Sequence, residues 1–330
     1  MTLRQLFACA VGAVALISAA HAADMQPVLK APPLEQQATG YVEIYSGWAG
    51  TRVRERDCSS GECEPDQKFR LDGWALGAAG RGNYWITRNV SVQVDAQAEG
   101  TSYDFPGGGR FSNHSYLVGG HWSWRDPQRY LFGLFAAAGD TGGGFSITGP
   151  QRHAVIGGEA QWYSNQFTLY AQVGYDSTLG NIGFSNKDRI HAWFIRGTGR
   201  YFVNPNVLIE GTVMYANGAT DYDFGLPSLD FRTLTWQAKA EWRLATAPFS
   251  VFAKYQGSET RTDVVSYASA FDRVTDHRVL FGLKLHMGDR TLLQTDRAGA
   301  TLDIIDPLSN PTSPLMFGGE AVRPDPEPGA

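Results

Sequence analysis

Residues 90–99 read Val90-Ser91-Val92-Gln93-Val94-Asp95-Ala96-Gln97-Ala98-Glu99, with the apolar and polar side chains strictly interleaved. In a pleated strand successive side chains point to opposite faces, so this stretch has one apolar wall and one polar wall. Residues 234–244 repeat the pattern, with Leu234, Trp236, Ala238, Ala240, Trp242 and Leu244 set against Thr235, Gln237, Lys239, Glu241 and Arg243. Residues 167–176 do so again: Phe167, Leu169, Ala171, Val173 and Tyr175 oppose Thr168, Tyr170, Gln172, Gly174 and Asp176.

The same template places about twelve strands near 40–52, 69–86, 90–102, 112–125, 129–139, 152–164, 167–178, 189–202, 206–217, 229–244, 248–260 and 275–287. The fifth is apolar on both faces between Tyr130 and Ala138 and would need a packed neighbour inside. Short turns at Arg88-Asn89, Asp126-Pro127-Gln128, Asn165-Gln166, Asn204-Pro205-Asn206 and Thr246-Ala247 alternate with longer polar connections at 53–68, 103–111, 140–151, 179–188, 218–228 and 261–274. Tight turns on one side and long loops on the other are the arrangement of a membrane barrel.

Alternation alone does not say which wall faces outward; a soluble sandwich would bury the apolar one. Aromatic side chains crowd the short turns, with Trp85, Trp122, Trp124, Trp162, Tyr201 and Trp242 expected in a girdle at headgroup level. Trp74, Tyr175, Trp193, Tyr215 and Trp236 lie further back along their strands, a spacing that suits an apolar band about 25 Å tall. Backbone polar groups in lipid must all be paired, and an even number of antiparallel strands closes first on last. The expected fold is therefore an all-β, closed antiparallel transmembrane β-barrel with short periplasmic turns and longer extracellular loops. The polar wall then lines the lumen with Asp95, Glu99, Glu159, Asp176, Arg196, Arg200, Glu210, Lys239, Glu241, Arg243, Lys254 and Lys284. Counting from the turns, Arg200 should face Glu210, and Glu241 should lie opposite or diagonal to Lys254.

The ends read differently. Arg4, the apolar run Leu6–Ala20 and the small-x-small site Ala20-His21-Ala22 predict a secretory signal peptide over 1–22. Residues 23–39 read as a Pro- and Gln-rich linker, 40–287 as the barrel, and the Pro- and Asp-rich 288–330 as a flexible periplasmic tail. A competing reading sends Leu302, Ile304 and Ile305 into the lumen as a plug. Cys9 would leave with the signal peptide. Cys58 and Cys63, close together in a polar segment of an exported chain, predict a loop-stapling disulfide and no metal site. A net charge of −5 without a basic stripe argues against nucleic acid, and nothing in the sequence calls for a cofactor.

The hairpin repeat resembles the outer-membrane porins and surface antigens of Gram-negative bacteria. Ala23-Asp24-Met25-Gln26-Pro27-Val28-Leu29-Lys30-Ala31-Pro32-Pro33 is similar to the mature N-terminus of one group of small surface-antigen porins. The resemblance implies an outer-membrane location, contact with outer-membrane lipid and passage of small polar solutes, and it is compatible with a homo-oligomer. Strand twelve does not end the chain, unlike barrels of this kind.

Three function classes follow. A lumen lined by both signs of charge suits a passive channel for small polar or charged solutes. A surface-recognition barrel with a plugged lumen is the second, with the loop around Cys58 and Cys63 as its binding element. The third is an outer-membrane phospholipase built on Ser112 and His114, which would share a face at the outer end of the fourth strand. Such enzymes place His before Ser, the reverse of the order here, and Asn113 would face away from both. Asp221, Asp223 and Asp230 read as solvated turn carboxylates in preference to a divalent-ion site.

Overall fold

The computed structural model describes residues 37–56, 67–104, 110–143, 151–179, 189–221, 229–262, 270–288 and 291–304. Twelve strands follow one another in chain order: β1 Ala38–Arg56, β2 Gln67–Trp85, β3 Val90–Asp104, β4 Arg110–Asp126, β5 Tyr130–Gly143 and β6 Gln151–Ser164, then β7 Phe167–Thr178, β8 Arg189–Asn204, β9 Val207–Asp221, β10 Leu229–Arg243, β11 Phe249–Thr262 and β12 Ala270–Met287. Each pairs antiparallel with its sequence neighbours, and β1 closes on β12. The closing seam runs in register from Gly40 opposite Met287 to Arg54 opposite Arg273. No strand is left with a free edge, as a sheet in hydrocarbon requires.

The alternation decides which way each residue points. On β3, Ser91, Gln93 and Asp95 are buried inside while Val94 is 62% exposed on the outer wall. Leu76, Leu134, Ile156, Val173 and Phe281 are likewise exposed outward. A water-soluble protein does not present so large an apolar surface; a membrane barrel does. Trp122, Trp124, Trp162 and Trp242 are exposed on this wall and Tyr201 is half-exposed. Trp85 corrects the expected girdle. It falls on the opposite pleat from exposed Tyr84, so its ring is buried inside.

The strands join at one end through tight turns. Asn165 adopts φ 46° in the two-residue connection between β6 and β7, a left-handed geometry that Asn tolerates. At Gly288 φ is +90°, and a Cβ there would come within 2.8 Å of the Ala38 carbonyl oxygen. Glycine lets the chain leave β12 by turning back on the barrel.

That turn overturns one expectation. The sequence predicts a flexible periplasmic tail over 288–330, and of that stretch residues 291–304 instead occupy the barrel interior; residues 305–330 lie outside the described residues. A short helix, α1 (Leu292–Ala298), is capped by Thr291, whose side chain accepts from the Gln294 amide. Leu292 packs on Phe202 and Leu208 beside the β8–β9 turn. The Leu293 amide donates to Pro205 O, and Arg297 donates to the carbonyls of Asn165 and Phe167. From Gly299 the chain runs extended up the lumen, where Leu302 packs with Leu131, Tyr163 and Tyr170, and Ile304 with Leu117 and Ala137. The neighbour demanded by the doubly apolar fifth strand is this segment. The interior offers buried apolar and hydrogen-bonding partners that outweigh the entropy of ordering so few residues.

Residues 1–36, which hold the expected signal peptide and most of the linker, lie outside the described residues, as do Cys58, Cys63, Asp223 and Ile305. Thr39 of the expected linker already belongs to β1.

Candidate functional site: the lumen and its inserted segment

All twelve charged residues expected on the inner wall point inward. Asp95, Glu159, Asp176, Arg200, Glu210, Glu241, Arg243 and Lys284 are buried, and Glu99, Arg196, Lys239 and Lys254 are half-buried. The structure divides them between two walls.

The wall formed by β2–β8 holds residues 299–304. This extended stretch has no strand beside it, so side chains of the wall satisfy its backbone groups. The Gln93 amide pairs with both polar groups of Leu302, donating to its carbonyl at 2.7 Å and accepting from its N–H at 3.2 Å. Gln172 donates to Asp303 O at 2.7 Å, and the Asp303 N–H donates to the Tyr170 hydroxyl at 3.2 Å. Arg125 donates to Gly299 O and Trp85 to Ala298 O.

Charge fixes the depth of insertion. The Asp303 carboxylate is gripped by Arg81, by Arg196 at 2.9 Å and by Arg200 at 3.3 Å. Burial alone would push this carboxyl up, but the three guanidinium groups outweigh it and hold the group well below the usual carboxylate range. Seven residues earlier, in α1, Asp296 accepts from Arg200 at 3.0 Å and from the Thr168 hydroxyl at 2.6 Å. Arg200 also bonds Glu210 across the β8–β9 ladder at 2.8 Å, the pairing expected from turn counting.

Deeper in the same wall, His121 lies between two carboxylates, 3.0 Å from Asp95 and 2.8 Å from Glu159. Glu159 also accepts from the Tyr170 hydroxyl at 2.6 Å, which links the network to the inserted segment. A second histidine, His153, lies 3.0 Å from Asp176.

The opposite wall, β9–β12 with β1, pairs most of its charges within itself, with Arg278 reaching Glu99 of β3 and Glu210 meeting Arg200 of β8. Lys284 lies 3.0 Å from Glu241 and 3.3 Å from Glu43, and Lys239 lies 2.6 Å from Glu241. Arg278 binds Asp276 at 2.9 Å and also Glu99. Between this wall and the inserted segment runs a cavity of about 290 Å³, lined near the turns by Phe202, Leu208 and Leu292 and further up by Glu99, Gln256 and Arg278.

One lining cation stands apart. Glu241 is diagonal to Lys254 but pairs elsewhere, and the residue directly opposite Lys254 on the β10–β11 ladder is Lys239. Among the described residues Lys254 forms no ion pair; its ammonium sits 4.5 Å above the Tyr45 ring. Like charges directly opposite on one face of a sheet are destabilising.

Ser112 and His114 are both exposed on the outer wall and Asn113 is buried on the inner one. The Ser112 hydroxyl has the Ser102 hydroxyl as its partner, at 3.4 Å, and not His114. No nucleophile–base pair is assembled there.

Several lumen residues were not singled out from sequence: Arg81, His121, Asp296 and Asp303, while Gln93, Tyr170 and Gln172 were placed on the polar wall without a role. Strand parity alone puts Arg81 and His121 on the inner face. Nothing local in the sequence joins Asp303 to arginines more than a hundred residues away.

No protein-family model matches the sequence, and no curated protein matches it. Solved structures do. An outer-membrane channel from Pseudomonas putida F1 aligns with a TM-score of 0.54 at 11% identity, covering 81% of this chain and all of that one. A FadL homologue from Pseudomonas aeruginosa aligns at 0.41 with 7% identity over 76% of this chain and 90% of that one. The outer-membrane protease OmpT from Escherichia coli aligns at 0.33 with 12% identity over 76% and 97%. At such identities the first likeness is one of fold: the chain has the architecture of the Gram-negative outer-membrane β-barrels.

Proposed function

We propose that this protein is an outer-membrane channel for small polar solutes, with anions favoured, whose lumen is narrowed by its own segment 291–304. The supporting observation is the charge-lined cavity that follows the β9–β12 and β1 wall beside the inserted segment. A barrel of about eight strands is filled by side chains and one of sixteen leaves a wide pore, so twelve strands leave room for both a plug segment and a passage. Lys254, opposed by Lys239 and in no ion pair among the described residues, is the position where a permeating anion gains most. Loss of hydration inside a narrow lumen is offset there by the ammonium and by the neighbouring amides of Gln237 and Gln256, which also line the cavity.

Planar-bilayer recording on the full chain tests the reading. Small unitary steps are expected, with a reversal potential displaced toward that of the anion in a salt gradient. No unitary steps at any voltage, from either the full chain or a chain ending at Met287, would end the channel reading.

A further inference from the structure

The wall that holds the inserted segment addresses atoms that any acidic peptide has. All four backbone groups of Leu302 and Asp303 are met by barrel side chains. Gln93 takes the N–H and the carbonyl of Leu302, and Arg81 donates to the same carbonyl at 2.8 Å. Tyr170 takes the N–H of Asp303 and Gln172 its carbonyl. In grooves that bind extended peptides, main-chain bonds of this kind supply affinity and side-chain pockets supply specificity.

The pockets are present as well. Among the described residues Arg81 and Arg196 have Asp303 as their carboxylate partner and no other, whereas Arg200 is held by Glu210 and Asp296 too. Two lumen guanidinium groups with no acid of their own form a seat for a carboxylate. An apolar seat lies on each side of it. Leu131, Tyr163 and Tyr170 receive Leu302, and Leu117 and Ala137 receive Ile304. Over three residues the wall reads an apolar side chain, an aspartate and a second apolar side chain.

None of these contacts depends on a covalent connection to the barrel. The tether is anchored separately, through Leu292 on Phe202 and Leu208 and through Arg297 on the carbonyls of Asn165 and Phe167. On the flank away from the wall, Ala300, Thr301, Asp303 and Ile304 border the cavity. The segment is therefore open to exchange along the passage without parting any strands.

We propose that the inner face of β2–β8 is a binding site for extended peptides of apolar–Asp–apolar character, with Leu302-Asp303-Ile304 as its resident ligand. The site rests on the channel reading for the route by which a free peptide arrives, and it names a class among the favoured anions: short acidic peptides. A short tether gives the resident segment an effective concentration in about the millimolar range, so a free peptide enters readily only when that segment is loosened.

Equilibrium dialysis of the detergent-solubilised full chain against radiolabelled, acetylated and amidated Thr-Leu-Asp-Ile, the sequence of 301–304, tests this. Asp303→Asn should bind the peptide about a hundredfold more tightly than the wild type, because its own segment competes by that much less. The same peptide with Asn in place of Asp should bind this variant about a hundredfold more weakly than its acidic parent. Leu302→Gly with Asp303→Asn and Ile304→Gly removes all three anchors of the resident segment and should bind the acidic peptide at least as well. In that background Gln93→Leu takes away both bonds to the backbone around the apolar seat and should weaken the peptide about tenfold, which a site reading charge alone would not show. Equal affinity for the two peptides, equal affinity of wild type and Asp303→Asn, indifference to Gln93→Leu, or no binding by the triply substituted chain each overturns the proposal. Dialysis needs no current. Bilayers without unitary steps would end the channel reading and leave the peptide site standing, whereas normal steps with no bound peptide would end the peptide site alone.

Discussion

The two inner walls of the barrel solve the same electrostatic problem differently. On β9–β12 and β1, acids and bases alternate in space: Glu43, Lys284, Glu241 and Lys239 form a chain of ion pairs that owes nothing to the inserted segment. On β2–β8, Arg81 and Arg196 find in Asp303 a carboxylate that comes from outside the sheet. Gln93 and Gln172 likewise spend their amides on the backbone of that segment. The ion pairs of the first wall need nothing from the inserted segment and it borders open space; the second is built to be covered. Burying a charge without a partner costs several kcal/mol, so the covered wall is stable only in company. The barrel therefore encodes its occupant in the charges of one wall and its passage in those of the other.

The most direct way to break this contrast is to remove the occupant. A chain ending at Met287 should conduct severalfold more current per channel in planar bilayers, since the cavity would widen to the β2–β8 wall. An unchanged unitary conductance would mean that the segment does not limit the passage. A finer cut is Asp303→Asn. It leaves the segment's shape but takes away the carboxylate shared by Arg81 and Arg196, while Arg200 keeps Glu210 and Asp296, at a cost of roughly 3–5 kcal/mol to docking. Taken at face value this lowers the ratio of docked to released segment by more than about a hundredfold. Bursts of large-conductance openings, absent from the wild type, would report it.

The self-contained wall offers the next test. Lys254→Glu places a carboxylate within reach of Lys239 on the facing strand and reverses a lumen charge that forms no ion pair among the described residues. The reversal potential in a salt gradient should move from the anion side toward the cation side, with unitary conductance little altered and the segment still docked. An unmoved reversal potential would take Lys254 out of the permeation path. Because the two walls share few charged contacts, the shifts from Lys254→Glu and Asp303→Asn should add, as distant sites do.

How much of this was legible in the sequence depends on the range of the interaction. All twelve strands lie where the alternation puts them, because a period of two is a local signal renewed at every residue. The limits moved mainly at the loop ends: β12 begins at Ala270, not 275, since strands extend beyond the bilayer where polar residues no longer mark a face. The Arg200–Glu210 pair was readable because a short turn fixes its register. The docked segment was not. Its Pro- and Asp-rich composition resembles unfolded chain, and its stability comes from Leu302 on Leu131 and Ile304 on Ala137 together with ion pairs to residues far back in the chain. The one sign was the fifth strand, apolar where its neighbours are polar. Trp85 went astray for a smaller reason: next to Tyr84, only the parity counted from the middle of β2 tells which ring faces lipid.

The smallest expected effect is that of mild acid, and its sign follows from Asp303. Burial works to raise this carboxyl, yet Arg81, Arg196 and Arg200 together hold it well below its ordinary value while the segment is docked. A released segment would carry an aspartate near its ordinary value of about 3.9. A group whose value falls on docking contributes its full stabilisation above the released value and loses it as the pH falls through the docked one. Between about pH 5 and pH 8 the docked fraction, read as open probability in bilayers, should therefore stay flat as far as Asp303 is concerned. Release should set in only at stronger acid, where the carboxylate that bridges the three arginines is neutralised. In Asp303→Asn, which cannot gain that proton, the acid-induced rise should vanish from an already elevated baseline. A wild type that opens progressively from pH 8 to pH 5 would show that some other group holds the segment. His121, caught between Asp95 and Glu159 and joined to the segment through Tyr170, would be the first to replace.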